Sequence, residues 1–185
     1  QAPLEDLISA FVRAEEENQA LPAPEILSLS ILLLLGGSET TTNLLGSLIL
    51  TLLEQPDDLA SVQRDPSLIP QLIEEGLRYH SPVQALFRQT TQAVEIAGTT
   101  IPANATVMPL LASANRDPRK FPDPERFDLT RKTDGHVSLG HGVHFCLGAP
   151  LARAEAKVAM EALLPYLPSL RPAAQPATWL DSFFV

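Results

Sequence analysis

The chain holds a single cysteine, Cys146, in a loop rich in glycine and histidine. From His136 to Arg153 the residues run His-Val-Ser-Leu-Gly-His-Gly-Val-His-Phe-Cys-Leu-Gly-Ala-Pro-Leu-Ala-Arg. Glycines let backbone approach a flat ligand closely and turn amide N–H groups inward. A helical pattern starts just after the thiol, and a helix N-terminus favours thiolate over thiol. A thiolate so held is a strong axial ligand, the kind that pushes electron density onto haem iron. The plain alternative is a small buried apolar residue, which a lone cysteine most often is. A zinc site fits poorly, because one Cys with scattered His136, His141 and His144 lacks the paired spacing of such sites.

Two further constellations carry chemistry. Gly36-Gly-Ser-Glu-Thr-Thr41 falls in the middle of a long helical pattern. Glycines and threonines are poor choices there. They predict a locally weakened, widened turn that admits a water or a small ligand such as dioxygen. Thr40 offers a hydroxyl and Glu39 a carboxyl for proton relay. The alternative is a packing notch where another helix crosses. Glu75-Gly-Leu-Arg78 sets an acid and a guanidinium at i, i+3 on one helix face. Most such pairs are solvated and worth little.

These residues need elements to position them. Residues 1–79 read as helices: Pro3 to about Asn18, Pro24 to Glu54, Asp57–Arg64 and Pro66–Tyr79. Prolines 22, 24 and 56 punctuate them. After Ser81-Pro82, short strands are predicted at Ala85–Thr90, Val94–Ala97 and Thr106–Pro109, with turns at Ala97-Gly98 and Pro102-Ala-Asn104. Asn115 to Asp134, rich in Pro, Asp and Arg, reads as irregular, and a last helix runs from about Leu147 to Leu164.

At 185 residues and 45% hydrophobic content the chain can bury a core. One cysteine excludes an internal disulfide framework, which points to a reducing cytoplasm. The formal charge of −9 argues against nucleic acid. It is uneven: residues 1–79 hold 13 acids and 3 bases, residues 80–185 hold 9 and 10. The cysteine thus lies in the less acidic half, which suits an acidic partner near the loop. The apolar run Ile26–Leu35 is shorter than the roughly 18–20 residues of a membrane span, so a long buried helix is expected and no membrane anchor. The start, Gln1-Ala-Pro-Leu, without an initiator Met or a signal pattern, reads as the middle of something longer.

Ser138 to Arg153 resembles the haem-binding loop of the cytochrome P-450 haem-thiolate family, in its soluble bacterial form. The family pattern is Phe-x-x-Gly-x-x-x-Cys-x-Gly. Gly142, Cys146 and Gly148 match it, and Leu139 stands at the Phe position. Gly36–Thr41 resembles the oxygen-binding groove of the family's central helix, and Glu75–Arg78 its Glu-x-x-Arg pair. The resemblance implies a mainly α fold with small β-sheets, with residues 1–185 forming the C-terminal part of a single domain whose N-terminal half is absent. It implies haem b (iron protoporphyrin IX) ligated by Cys146 and approached by Gly36, Leu139, Gly140 and Gly148. Arg88 and His144 would pair with the propionates, and Glu39 and Thr40 would deliver protons. Arg126, from Pro124-Glu-Arg-Phe127, would join Glu75 and Arg78 in a structural triad. Leu32, Leu33, Val83, Ala85, Leu86 and Phe87, with Phe183 or Phe184, would wall an apolar pocket. The implied activity is a monooxygenase that inserts one oxygen atom of dioxygen into a hydrophobic small molecule. Electrons would come from NAD(P)H through a ferredoxin or flavoprotein reductase. Two alternatives stay open at this level: a peroxide-using peroxygenase, and a truncated, non-catalytic haem-binding fragment.

Overall fold

The computed structural model describes residues 5–16, 22–171 and 173. The chain divides between Thr40 and Thr41 into two units. The first holds helix α1 (Leu7–Glu16) and the start of helix α2 (Ala23–Glu54). Helix α1 begins four residues later than Pro3, because Asp6 accepts the Ser9 N–H at 2.7 Å and so caps it. Helix α2 runs as expected but is not buried throughout. Ile26 is buried, Leu27 and Ile31 to Leu35 are exposed, and regular burial starts at Thr41 and goes on through Leu44, Leu48 and Leu52. Among the described residues no helix is long and apolar enough to cross a membrane.

The second unit is mainly helical. Helix α3 (Pro56–Arg64) starts on a proline, whose fixed φ suits a first turn. Asp65 then accepts the Ser67 N–H and opens a single 3₁₀ turn, Pro66–Leu68. Helix α4 (Ile69–His80) follows. Its apolar face is buried in a core made by Leu44, Leu48 and Leu52 of α2, Leu59 and Val62 of α3, and Met160 and Leu164 near the chain's end. Gly76 is required there, since a Cβ would collide with the Leu48 side chain. The helix ends at Ser81, which takes a left-handed φ of 45° and precedes Pro82.

Four short strands form two antiparallel pairs: β1 (Arg88–Gln89) with β4 (Thr106–Val107), and β2 (Val94–Ile96) with β3 (Thr99–Ile101). Ala97 and Gly98, both at positive φ, close the β2–β3 hairpin as a two-residue turn. Strand β3 was hidden in the sequence behind that turn. Helix α5 (Leu111–Ala114) is one turn that the sequence did not signal. Residues 115–134 carry no helix or strand, as expected, the irregular stretch goes on to residue 141, and helix α6 (Ala149–Leu163) packs its Ala149, Ala156 and Met160 inward. Phe183 and Phe184 lie outside the described residues.

Candidate functional site

The Cys146 loop is anchored by a buried polar cluster at the end of α4. Glu75 and Arg78 form an ion pair with both side chains fully buried. Arg78 Nε donates to Glu75 Oε2 at 2.8 Å and Nη2 to Oε1 at 2.7 Å. The other three N–H groups donate to the carbonyls of Asn115 (3.1 Å), Pro124 (2.9 Å) and Arg126 (3.2 Å). All five guanidinium donors are used, which no lysine could match.

The third member of the cluster is Arg131, not Arg126. Arg131 Nε donates to Glu75 Oε1 at 3.2 Å, and its side chain is nearly buried. Phe127 is buried in the core, and its neighbour Arg126 turns outward to pair with Asp128. Arg126 contributes its carbonyl, which accepts from both Arg78 and Arg131.

Asn115, unnoticed in the sequence, ties this cluster to the loop. It is fully buried, and its Nδ2 donates to Ser81 Oγ (2.8 Å) and Ser138 Oγ (2.7 Å). Its Oδ1 accepts the Val137 N–H at 2.7 Å. Ser138 Oγ also donates to the Leu77 carbonyl of α4. The only hint in the sequence is an amide side chain at the end of the largely apolar stretch Val107–Ala114, which Ser113 interrupts.

The loop itself is built by glycine. Gly140 has a φ of +74°, and a Cβ there would lie 2.8 Å from the His144 carbonyl oxygen. The Cys146 N–H donates to the Leu139 carbonyl at 2.7 Å and closes the loop on itself. Gly142, at φ +63°, opens a 3₁₀ turn through His144. Gly148 caps α6, and a Cβ on it would sit 3.8 Å from Cys146 Sγ. The thiol is half-buried, and beside it Val143 and Leu147 are more than nine-tenths exposed.

Arg88 and His144 are both exposed. Arg88 Nη1 donates only to the Phe87 carbonyl, and among the described residues neither side chain has an acidic partner. The other expected pocket walls divide: Leu32, Leu33 and Phe87 are exposed, Val83 and Leu86 are half-buried, and Ala85 is buried and bridged to Leu110. His136 is engaged elsewhere, 3.0 Å from Glu74.

Gly36, Glu39 and Thr40 lie on α2 within the first unit. The expected widened turn is not seen: the α-helix continues through Gly36 to Thr41. Thr40 Oγ1 donates to the Gly36 carbonyl at 2.7 Å, a back-bond to position i−4 that leaves the hydroxyl able to accept. Glu39 is exposed, and a Cβ at Gly36 or Gly37 would meet nothing within 4 Å.

One thiol, an arginine and a histidine without acidic partners among the described residues, exposed apolar side chains and glycine-thinned backbone make a donor set that fits a broad flat apolar ring with carboxylate arms. The family profile described as Cytochrome P450 matches residues 1–169. The chain belongs to this family. Family membership implies haem as the cofactor. Cytochrome P450 107B1 of Saccharopolyspora erythraea is 49% identical over 175 residues, covering 94% of this chain and 43% of the relative. The cytochrome P450 monooxygenase PikC of Streptomyces venezuelae is 48% identical over 168 residues, covering 90% and 40%. The crystal structure of CYP109E1 from Bacillus megaterium in complex with testosterone superposes with a TM-score of 0.93 at 43% identity. It covers 99% of this chain and 48% of that one. This cytochrome P450 chain therefore spans less than half the length of these relatives.

Proposed function

We propose that residues 1–185 form the C-terminal portion of one cytochrome P450 domain, and that the full-length protein is a haem-thiolate monooxygenase of the cytoplasm. The observation that carries this is Cys146: a half-buried thiol in a glycine-walled loop, immediately ahead of α6. When bound, haem would supply the iron chemistry that transfers one oxygen atom of dioxygen to an organic substrate.

The chain's own residues do the rest. Cys146 Sγ would hold the iron. Gly140 and Gly148 on the loop would let backbone approach the ring, with the Leu139 side chain beside them, and Gly36 on α2 is assigned the same permissive role. Arg88 and His144 pair with the carboxylate arms, for which a guanidinium gives two parallel hydrogen bonds. Thr40 Oγ1, already donating to Gly36, accepts a hydrogen bond from an incoming water and orients it. Glu39, on the solvent side, replenishes the proton. Leu32, Leu33 and Phe87 offer apolar contacts, which suits a hydrophobic substrate. Electrons arrive from NAD(P)H through a ferredoxin or flavoprotein reductase.

The test is Cys146→Ser in the haem-loaded protein. The reduced carbon monoxide spectrum of the parent should show the red-shifted band of thiolate-ligated iron, and the variant should lose it. A variant that keeps the band refutes the assignment.

A further inference from the structure

We propose that Glu74 is the positioning residue that closes the Cys146 loop, holding His136 ahead of the thiol and Arg153 behind it on one carboxylate. This rests on Cys146 being the iron ligand. Arg153 Nε donates to Glu74 Oε1 at 2.5 Å and Nη2 donates to Oε2 at 2.9 Å. His136 Nε2 lies 3.0 Å from Oε2. The Ser138 N–H donates to His136 Nδ1 at 3.3 Å. Nδ1 is therefore the acceptor, and the ring proton sits on Nε2, where it donates to Glu74.

Solvated surface pairs are worth little, but this one is a fork. The His136 side chain is 7% exposed and that of Glu74 26%. The two loop ends also differ in their other supports. The leading end has Asn115, which holds Val137 and Ser138. The trailing end has the packing of Ala149 and Ala156, and Glu74 is its one tie to α4 by hydrogen bonds among the described residues.

Glu74 has an electrostatic role as well. Arg153 stands on the second turn of α6, the helix whose capping residue Gly148 borders Cys146 Sγ. Glu74 offsets the guanidinium charge. With the carboxylate gone, the positive charge acts on the thiolate alone and weakens its donation to iron. Loss of Arg153 does the opposite.

The test compares haem-loaded parent, Glu74→Gln, Arg153→Gln, the double variant, and Glu161→Gln. Glu161 pairs with Lys157 on the exposed side of α6, and its variant should match the parent in every readout. The readouts are haem transfer to an apo-globin acceptor and the iron reduction potential. Glu74→Gln and Arg153→Gln should each lose haem about tenfold faster, the scale seen when a supporting partner of a metal ligand is removed. Glu74→Gln should raise the potential, Arg153→Gln should lower it, and the double variant should return close to the parent. A general loosening of the fold would not give opposite signs. If Glu74→Gln does not load haem, Arg153→Gln and the double variant still decide the sign. Parent-like haem loss in Glu74→Gln, or potentials that move in the same direction, overturns the proposal. Cys146→Ser is run alongside: retention of the red-shifted band overturns the ligand assignment itself, whereas its loss beside an unchanged Glu74→Gln overturns the Glu74 role alone.

Discussion

Arg78→Ala removes five hydrogen bonds from a site that water does not reach. Glu75 Oε2 loses the partner it has, while Oε1 keeps the Asp128 N–H at 2.9 Å and Arg131 Nε at 3.2 Å. Breaking a buried pair from one side costs about 3–5 kcal/mol, because a charge stays behind. Domain stability totals roughly 5–15 kcal/mol, so this is a large share. At about 2–4 °C per kcal/mol the melting temperature should fall by ~6–20 °C. Arg78→Lys should recover little, since an ammonium has three donors for five acceptors. Thermal melting and haem content after purification read the two consequences. The variant should melt early and carry little haem, because the carbonyl of Asn115 is among the lost partners and Asn115 holds the cysteine loop. An Arg78→Ala protein that melts within about 2 °C of the parent would refute the accounting.

Arg131→Ala should cost on the order of 1.5–3 kcal/mol for its charged hydrogen bond to Glu75, while Arg126→Ala, whose side chain is 68% exposed, should stay within about 0.5 kcal/mol; urea melts with the two effects reversed would restore Arg126 to the triad. Stability should be level above neutral pH and then fall in two stages. His80, desolvated and facing the charges of Arg116 and Arg78, is lowered from 6.5 to about 4, so the unfolded chain takes its proton first and stability declines between those values. Burial raises Glu74, but the hydrogen bonds of Arg153 and His136 and the charge of Arg153 outweigh it and hold it at about 2, so its contribution is lost as pH falls from 4.5 towards 2. His80→Gln should flatten the first stage, and an unchanged slope there would sink this reading. Thr40→Ala in the haem-loaded protein should bind substrate and consume reductant at comparable rates but release hydrogen peroxide in place of product; product formed per reductant as in the parent would remove its proton-ordering role.

Sequence reading found the helices that contain the motifs, because their periodicity and prolines are local signals. Strand β3 escaped because Thr99–Ile101 is three residues long and paired only through the Ala97-Gly98 turn. The partial burial of α2 escaped because an apolar run looks the same whether or not something covers it; Ile31 to Leu35 are as apolar as Leu44, Leu48 and Leu52. The cysteine loop was legible from its glycines. Its supports were not. Asn115 and Glu74 act on residues 22 and 79 positions away, and nothing in their own neighbourhoods says so. The choice of Arg126 over Arg131 failed for a related reason. Adjacent side chains in an irregular segment point in directions that only the packing of Phe127 decides.

The irregular segment explains why the cluster consists of arginines. With so many prolines and turns, residues 115–134 have neither helix nor ladder to satisfy their carbonyls. Buried carbonyls without donors would be costly. Two guanidinium groups take that place. Arg78 serves Asn115, Pro124 and Arg126, and Arg131 serves Pro122, Asp123 and Arg126. Glu75, between them, offsets both charges. Among the described residues no buried side-chain nitrogen or oxygen lacks a partner. The segment is thus made rigid by side chains rather than by secondary structure, and rigidity at Asn115 passes directly to Val137 and Ser138. The proposed ligand role of Cys146 would need its sulfur held in place without a helix or strand of its own. The structure supplies such a constraint from α4, through one arginine and one asparagine, to the start of the loop.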